Sequence, residues 1–231
     1  MANKAFIVTR YLYDKSKVFK TLEAAINEKF YNEAVFWGYE LYYSWYEEEV
    51  IDFLIKLCER ILPQYKRLHR FLNKLFAEWL EKPVCEKPTG IICTIIKNIL
   101  DKDPNLEEPK ALIFFVMDES TAVPFQTLYL KHPYRILPAV CKYWLLEPPE
   151  NPAILPEDKV NELRDFIDHW LFYASRTPVW AHRIHQYKGK VETESKTVIF
   201  ETDDLAEEFY AKYGYEPEEQ CIEVQRRLLG I

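Results

Sequence analysis

The chain has 231 residues, 48% of them hydrophobic, and a formal net charge of -7: enough apolar matter for a sizeable core and too much for disorder as the default. That charge argues against broad, nonspecific binding to nucleic acid or anionic membranes, which depends on an excess of Lys and Arg. Only 5 Gly against 14 Pro, with no G-x-G-x-x-G and no P-loop, excludes a glycine-rich phosphate cradle, and no cofactor is expected.

No segment approaches the ~20 apolar residues of a membrane span, and MANKAFIVTRYLYDK lacks the apolar run of a secretory signal, so an intracellular protein without a membrane partner is expected. Cys58, Cys85, Cys93, Cys141 and Cys221 are odd in number and scattered, and read as reduced packing thiols.

In chain order, residues 1–15 carry a β-prone run and read as an edge strand or a docked arm. Ser16 opens a helix with Val18, Phe19, Leu22, Ala25 and Ile26 on one face. Asn32 is placed to cap a second helix rich in aromatics. In a third, Val50, Phe53, Leu54, Leu57, Cys58 and Ile61 form one apolar stripe, with Glu47, Glu48 and Glu49 set against the positive end of the helix dipole. A fourth helix over residues 64–81 turns Tyr65, Leu68, Leu72, Leu75, Phe76 and Trp79 inward. Thr89 then caps a very apolar fifth helix, expected to be buried on most sides. Residues 101–110, DKDPNLEEPK, read as a surface connection or hinge. The run ALIFFVM is ambiguous between strand and helix, and helix is preferred because no second long apolar strand is there to pair with it.

Residues 118–133 read as irregular, followed by a helix through Trp144 and Leu145. The proline run EPPENPAILP at 147–156 is stiff and extended. A helix from Pro156 turns Val160, Leu163, Ile167, Trp170, Leu171 and Ala174 inward, and Thr177-Pro178 is an N-cap and N1 pair for the next. KVETESKTVIF, with its polar turn Thr193-Glu194-Ser195-Lys196, predicts a β-hairpin. Asp203 or Asp204 caps a helix ending at Gly214, and a last one runs over 218–229. The expected fold is mainly α: a multi-helix bundle with one small β-hairpin near residues 190–200. A helical core over 1–146 and a C-terminal module over 157–231 are expected to pack as one compact unit.

Chemical signals are sparse. His182 and His185 lie three apart with His169 one helix earlier, but without H-E-x-x-H or paired C-x-x-C no metal site is expected. Cys85 and Cys93 lack the electropositive setting of a nucleophile, and Asp165 and Asp168 suit a solvated helix face as well as an active site. No catalytic residue is assigned, and an enzyme is not expected. Two surfaces remain. Trp37, Tyr39, Tyr42, Tyr43, Trp45 and Tyr46 exceed what one helix face needs to bury and are the candidate protein-interaction residues, against a core-packing alternative. Lys66, Arg67, Arg70 and Lys74 form the densest positive strip and are the candidate phosphate contacts, against a solvated helix face.

EAVFWGYELYYSWYEEEVIDFLIKL and the stretch from TPVWAHRIHQYKGK to GYEPEEQ resemble helical proteins of unassigned role from nucleocytoplasmic large DNA viruses. Ala34, Trp37, Glu40 and Leu41 are also similar to the Ala-x-x-W/Y-x-x-E-L character of the helical collar of clamp-loader-type AAA+ proteins, although no ATPase module precedes them. These resemblances imply a helical assembly surface and a viral setting: host cytoplasm or viral factory, with the virion as a further location. They bring no catalytic residues. The expected function is a non-catalytic structural or adaptor protein with protein partners, self-association included. The alternative is a nucleic-acid-associated accessory factor in viral replication, transcription or translation.

Overall fold

The computed structural model describes residues 7–122, 165, 166 and 168–213. Within them are eight α-helices and one two-stranded antiparallel sheet, so the protein is mainly helical with a single small hairpin among the described residues, as expected. The chain divides into two compact units, Val18–Leu128 and Met1–Lys17 with Tyr129–Ile231, the division falling within the first helix. The helices expected near 134–145 and 218–229, the first turns of the one expected from Pro156, and the proline run at 147–156 lie outside the described residues.

In the unit Val18–Leu128, α1 (Lys15–Asn27) buries Val18, Leu22, Ala25 and Ile26. It begins one residue before Ser16, where the Asp14 carboxylate accepts from the Lys17 N–H at 3.0 Å. α2 (Tyr31–Tyr42) starts from Phe30 rather than Asn32. Lys29, at φ 59°, completes the reversal out of α1 early enough that Asn32 is already helical and exposed. α3 (Glu47–Ile61) buries Val50, Leu54, Leu57 and Cys58 as its stripe predicts, and adds Ile51 and Ile55 because it has neighbours on two sides. α4 (Lys66–Glu81) turns Leu68, His69, Leu72 and Trp79 inward.

α5 (Ile91–Leu100) is the centre of this unit, packed against α2 and α3, and buries eight of its residues. Its five buried isoleucines contribute roughly 10 kcal/mol of transfer free energy before chain entropy is subtracted. The close crossing with α2 requires glycine at 38, since a Cβ there would stand 2.7 Å from Ile92 Cγ2. The N-cap of α5 is Gly90, not Thr89, whose carbonyl instead accepts from the Tyr39 hydroxyl at 3.0 Å.

Residues 101–110 are no hinge in this structure. Gln64 Nε2 donates to the carbonyls of Pro104 (2.8 Å) and Leu106 (3.0 Å), and the Tyr65 hydroxyl donates to Asp103 O at 3.0 Å. Glu108 reaches the first turn of α4, accepting from the Arg67 N–H at 2.8 Å, and so supplies the cap that Tyr65, at the N-cap position, does not. A loop that caps a helix from forty residues away is part of the scaffold.

In the other unit, α6 (Trp170–Ala174), α7 (Pro178–Gln186) and α8 (Asp203–Tyr213) surround an aromatic core. Trp170 meets Trp180 edge-on at 5.3 Å, and Phe209 packs against Phe200 at 5.0 Å. Strands β1 (Lys190–Glu192) and β2 (Thr197–Ile199) pair with Val191 opposite Val198. Pro178 takes the first position of α7 as predicted, but the Thr177 hydroxyl makes no cap bond. It donates instead to Val8 O at 2.6 Å, while Trp180 Nε1 donates to Thr9 O at 3.2 Å. Residues 7–14 are therefore a docked arm, with Val8 and Leu12 in the core and one isolated bridge, Val8 to Asp14. Neither Asp203 nor Asp204 caps α8: the Leu205 N–H bonds to Thr202 Oγ1 at 3.3 Å, leaving both carboxylates in the first turn.

Candidate functional site

The run ALIFFVM is not helical. Its backbone is bound by a polar stripe that runs along the mostly apolar α5 and onto the turn just past its end. Thr94 Oγ1 accepts from the Met117 N–H at 2.9 Å. The Asn98 amide brackets Phe115, donating to its carbonyl at 2.7 Å and accepting from its N–H at 3.0 Å. Lys102 Nζ donates to Ile113 O at 3.2 Å and pairs with Asp101 at 2.9 Å. The repeat matches: four helical residues rise ~6 Å and two extended residues span ~6.6 Å, so residues 94 and 98 meet 117 and 115 in antiparallel order, and Lys102, in the turn after the helix, reaches 113. Helix side chains stand where a neighbouring strand would.

Gly90 lets the end of the segment lie against the start of α5, since a Cβ there would meet Met117 O at 2.5 Å. Phe114 stacks on Phe71 at 4.3 Å, and Lys97 sits 5.1 Å over the Phe115 ring. At the other end, Arg67 holds residues 108–110. Its Nη1 donates to Lys110 O at 2.8 Å, its Nη2 donates to Pro109 O, and its Nε lies 3.3 Å from Glu108 Oε2. Burial acts upward on the Glu108 carboxyl, but the bonds and charge of Arg67 outweigh it and hold the group below the usual carboxylate range.

The consequence is an open edge. In an extended chain the N–H and C=O groups of alternate residues point to opposite sides. With 113, 115 and 117 turned to α5, those of Leu112, Phe114 and Val116 point away, and they form no hydrogen bond among the described residues. Ile113 is 71% and Val116 74% exposed beside them. A shallow cavity of about 340 Å³ adjoins the segment, lined by Tyr65, Asp101, Lys102, Leu106 and Ile113. Its one buried cation, Lys102, is committed to Asp101 and Ile113.

The sequence-predicted surfaces are distributed differently. Tyr39 and Tyr42 are buried, leaving no area for a partner, and Trp37, Tyr43 and Tyr46 are half-buried. Burial pushes the Tyr39 and Tyr42 phenols well above their ordinary range. Trp45, at φ 68° in the α2–α3 turn, is the exposed member. Ala34, Glu40 and Leu41 of the collar-like pattern are buried as well. In the basic strip, Lys66, Arg70 and Lys74 are exposed, with Lys74 near Glu78 at 3.6 Å. Arg67 is diverted to the loop, and His69 is buried with Nε2 3.0 Å from Leu62 O.

No group of three metal-ligating side chains comes together among the described residues. Burial pushes the Cys58 thiol up to about 12, and burial raises Cys93 against the opposing bond to Tyr39, so both are thiols rather than thiolates at neutral pH. One ionic cluster lies in the hairpin unit: Lys196 Nζ is 2.6 Å from Asp165 Oδ1, the Tyr173 hydroxyl donates to Asp165, and His169 Nε2 lies 3.9 Å away. The bond to Asp165 raises Lys196, Lys196 lowers Asp165 against the effect of burial, and burial raises Tyr173. Asp165, Tyr173 and Lys196 are each held more firmly in their ordinary form, which suits a clamp on the hairpin turn and not an acid–base pair.

Thr94, Asn98 and Lys102 are missed by the sequence reading; the signal that could have found them is their i, i+4, i+8 spacing along and just past an isoleucine-rich helix. Comparison with family models, curated proteins and solved structures finds no match to this chain. No helix among the described residues is long and apolar enough to cross a membrane.

Proposed function

We propose that this is a non-catalytic structural or adaptor protein of a large DNA virus that binds protein by strand addition at residues 112–116. The observation that carries the reading is the backbone of Phe114 and Val116, unpaired among the described residues, with Ile113 and Val116 exposed on a segment held from behind by α5. Such an edge takes another chain through its main-chain bonds, with apolar side chains tuning the choice. The fixed segment lowers the entropic cost of binding, because it is already extended.

The test is affinity capture with the full chain, with and without nuclease, using the wild type, Val116→Pro and Ile113→Lys. Proline at 116 removes an N–H that bonds nothing among the described residues, so the fold tolerates it while the edge loses a donor. Partners that survive nuclease and are lost with both variants support the reading. Partners indifferent to both variants refute it. Partners that vanish with nuclease point instead to an accessory factor working through the exposed Lys66, Arg70 and Lys74.

A further inference from the structure

The geometry points to a specific occupant for this edge, and the inference rests on the strand-addition reading: a second copy of the chain, paired antiparallel about a two-fold axis at Phe114. An antiparallel pair of identical strands is self-complementary, so each bond is made twice. Within residues 112–116 the outward-facing residues are even-numbered, so the residue numbers opposed across the pair must sum to an even number. Charge then selects the register. With Phe114 opposite Phe114, Leu112 faces Val116, and Lys110 faces Asp118 at both ends. A two-residue slip one way sets Lys110 against Val116; the other way sets Leu112 against Asp118.

Lys110 is exposed at the bend that precedes the extended residues, and its carbonyl is turned inward to Arg67, which leaves only its side chain for the partner copy's Asp118. Asp118 is exposed and extended at φ -81°, ψ 173°, with its Oδ1 accepting from the Ser120 N–H at 2.9 Å. Both charged ends are therefore held by the same scaffold that leaves the edge bare. The hydrogen-bonded stretch is short and the interface falls in the small, weakly bound class, so self-association is expected in the micromolar range or above.

Sedimentation velocity of the purified full chain over a wide concentration range reads the outcome. A monomer–dimer equilibrium is expected, abolished by Val116→Pro. Lys110→Glu and Asp118→Lys each replace two attractive pairs by two repulsive ones and weaken the dimer about tenfold at low salt. An equimolar mixture of those two variants restores it. In the mixed dimer the introduced glutamate of one chain meets the introduced lysine of the other, and the unchanged Asp118 of the first meets the unchanged Lys110 of the second. Failure of the mixture to recover the dimer overturns the register, and a dimer indifferent to Val116→Pro overturns the surface. A chain monomeric at every concentration, whose captured partners still depend on Val116, overturns self-pairing and leaves strand addition standing. A monomer whose partners ignore Val116 overturns both.

Discussion

Asn98 is the residue on which the extended segment depends most, and its removal tests the side-chain ladder directly. Its amide makes two bonds to the Phe115 backbone, at 2.7 and 3.0 Å, and one to Thr94 O at 2.7 Å. Thr94 O also serves the helix ladder, so that third bond is expendable. The two to Phe115 are each worth about 1 kcal/mol net, and more if the groups they leave are kept from water. Asn98→Ala also removes packing volume from a fully buried position. The expected loss is roughly 2–3 kcal/mol, or a fall in Tm of about 5–10 °C for a chain of this size. Urea unfolding gives the free energy, and hydrogen exchange locates it: the Phe115 amide should lose most protection, the Met117 amide less, and the α3 amides only what global stability dictates. Asn98→Asp adds a sign test. It keeps the acceptor for Phe115 N–H but sets a carboxylate against Phe115 O, so burial and repulsion raise its folded-state pKa. Relative to wild type its deficit should be smallest below the unfolded carboxylate range and grow as pH rises through the raised value. An Asn98→Ala variant within about 0.5 kcal/mol of wild type, with Phe115 exchange unchanged, would falsify the ladder.

The remaining expectations concern the supports around it. Glu108→Gln should cost about 1 kcal/mol or less, as a partly solvated cap does, and should flatten the acid limb of stability. Because the Glu108 pKa is depressed, its contribution is present above the unfolded value of ~4.3 and is lost as pH falls through the folded one; equal acid slopes in variant and wild type would remove the assignment. Thr177→Val should cost about 1–3 kcal/mol by orphaning the buried Val8 carbonyl and should speed proteolysis near residues 7–14, whereas Thr177→Ser should do neither. With a thiol reagent at pH ~8, close to the ordinary thiol pKa, Cys85 should label in the native protein and Cys58 and Cys93 only on unfolding, read peptide by peptide; native labelling of Cys58 would contradict its burial.

Helices were legible wherever one apolar face alternated with charge, as in α1, α3 and α4, because that pattern needs only local information. The hairpin was legible for the same reason, through the polar turn between Val191 and Val198. What the pattern hid was long-range polar pairing. Asn32, Thr89 and Asp203 are sound capping residues in isolation, yet tight turns and nearer partners moved the helix starts to Phe30, Gly90 and Thr202. The Thr177 hydroxyl went to a carbonyl 169 positions away, and Glu108 capped a helix from a distance that none of the usual spacings covers. For the aromatics the core-packing alternative holds at Tyr39 and Tyr42, which fill the space between α2 and its neighbours, where abundance signals a wide core rather than a spare face.

The failed expectation of a helix at ALIFFVM is also the origin of the candidate site. Helix was preferred because no strand was available to satisfy an extended backbone, and that premise holds among the described residues. α5 and the turn after it supply the bonds from side chains instead, on a stripe that costs the helix two buried polar positions, Thr94 and Asn98, but satisfies both of them. A strand partner would present a backbone with a second edge of its own and so propagate a sheet. A helix partner satisfies one side and stops, leaving the other side of residues 112–116 extended and, among the described residues, unpaired. Natural sheets usually blunt such an edge with charge or proline inside it, and here Lys110 and Asp118 stand only at its ends, with Ile113 and Val116 exposed between them. An edge built this firmly, with charge only at its ends, is the feature on which the proposed strand addition rests.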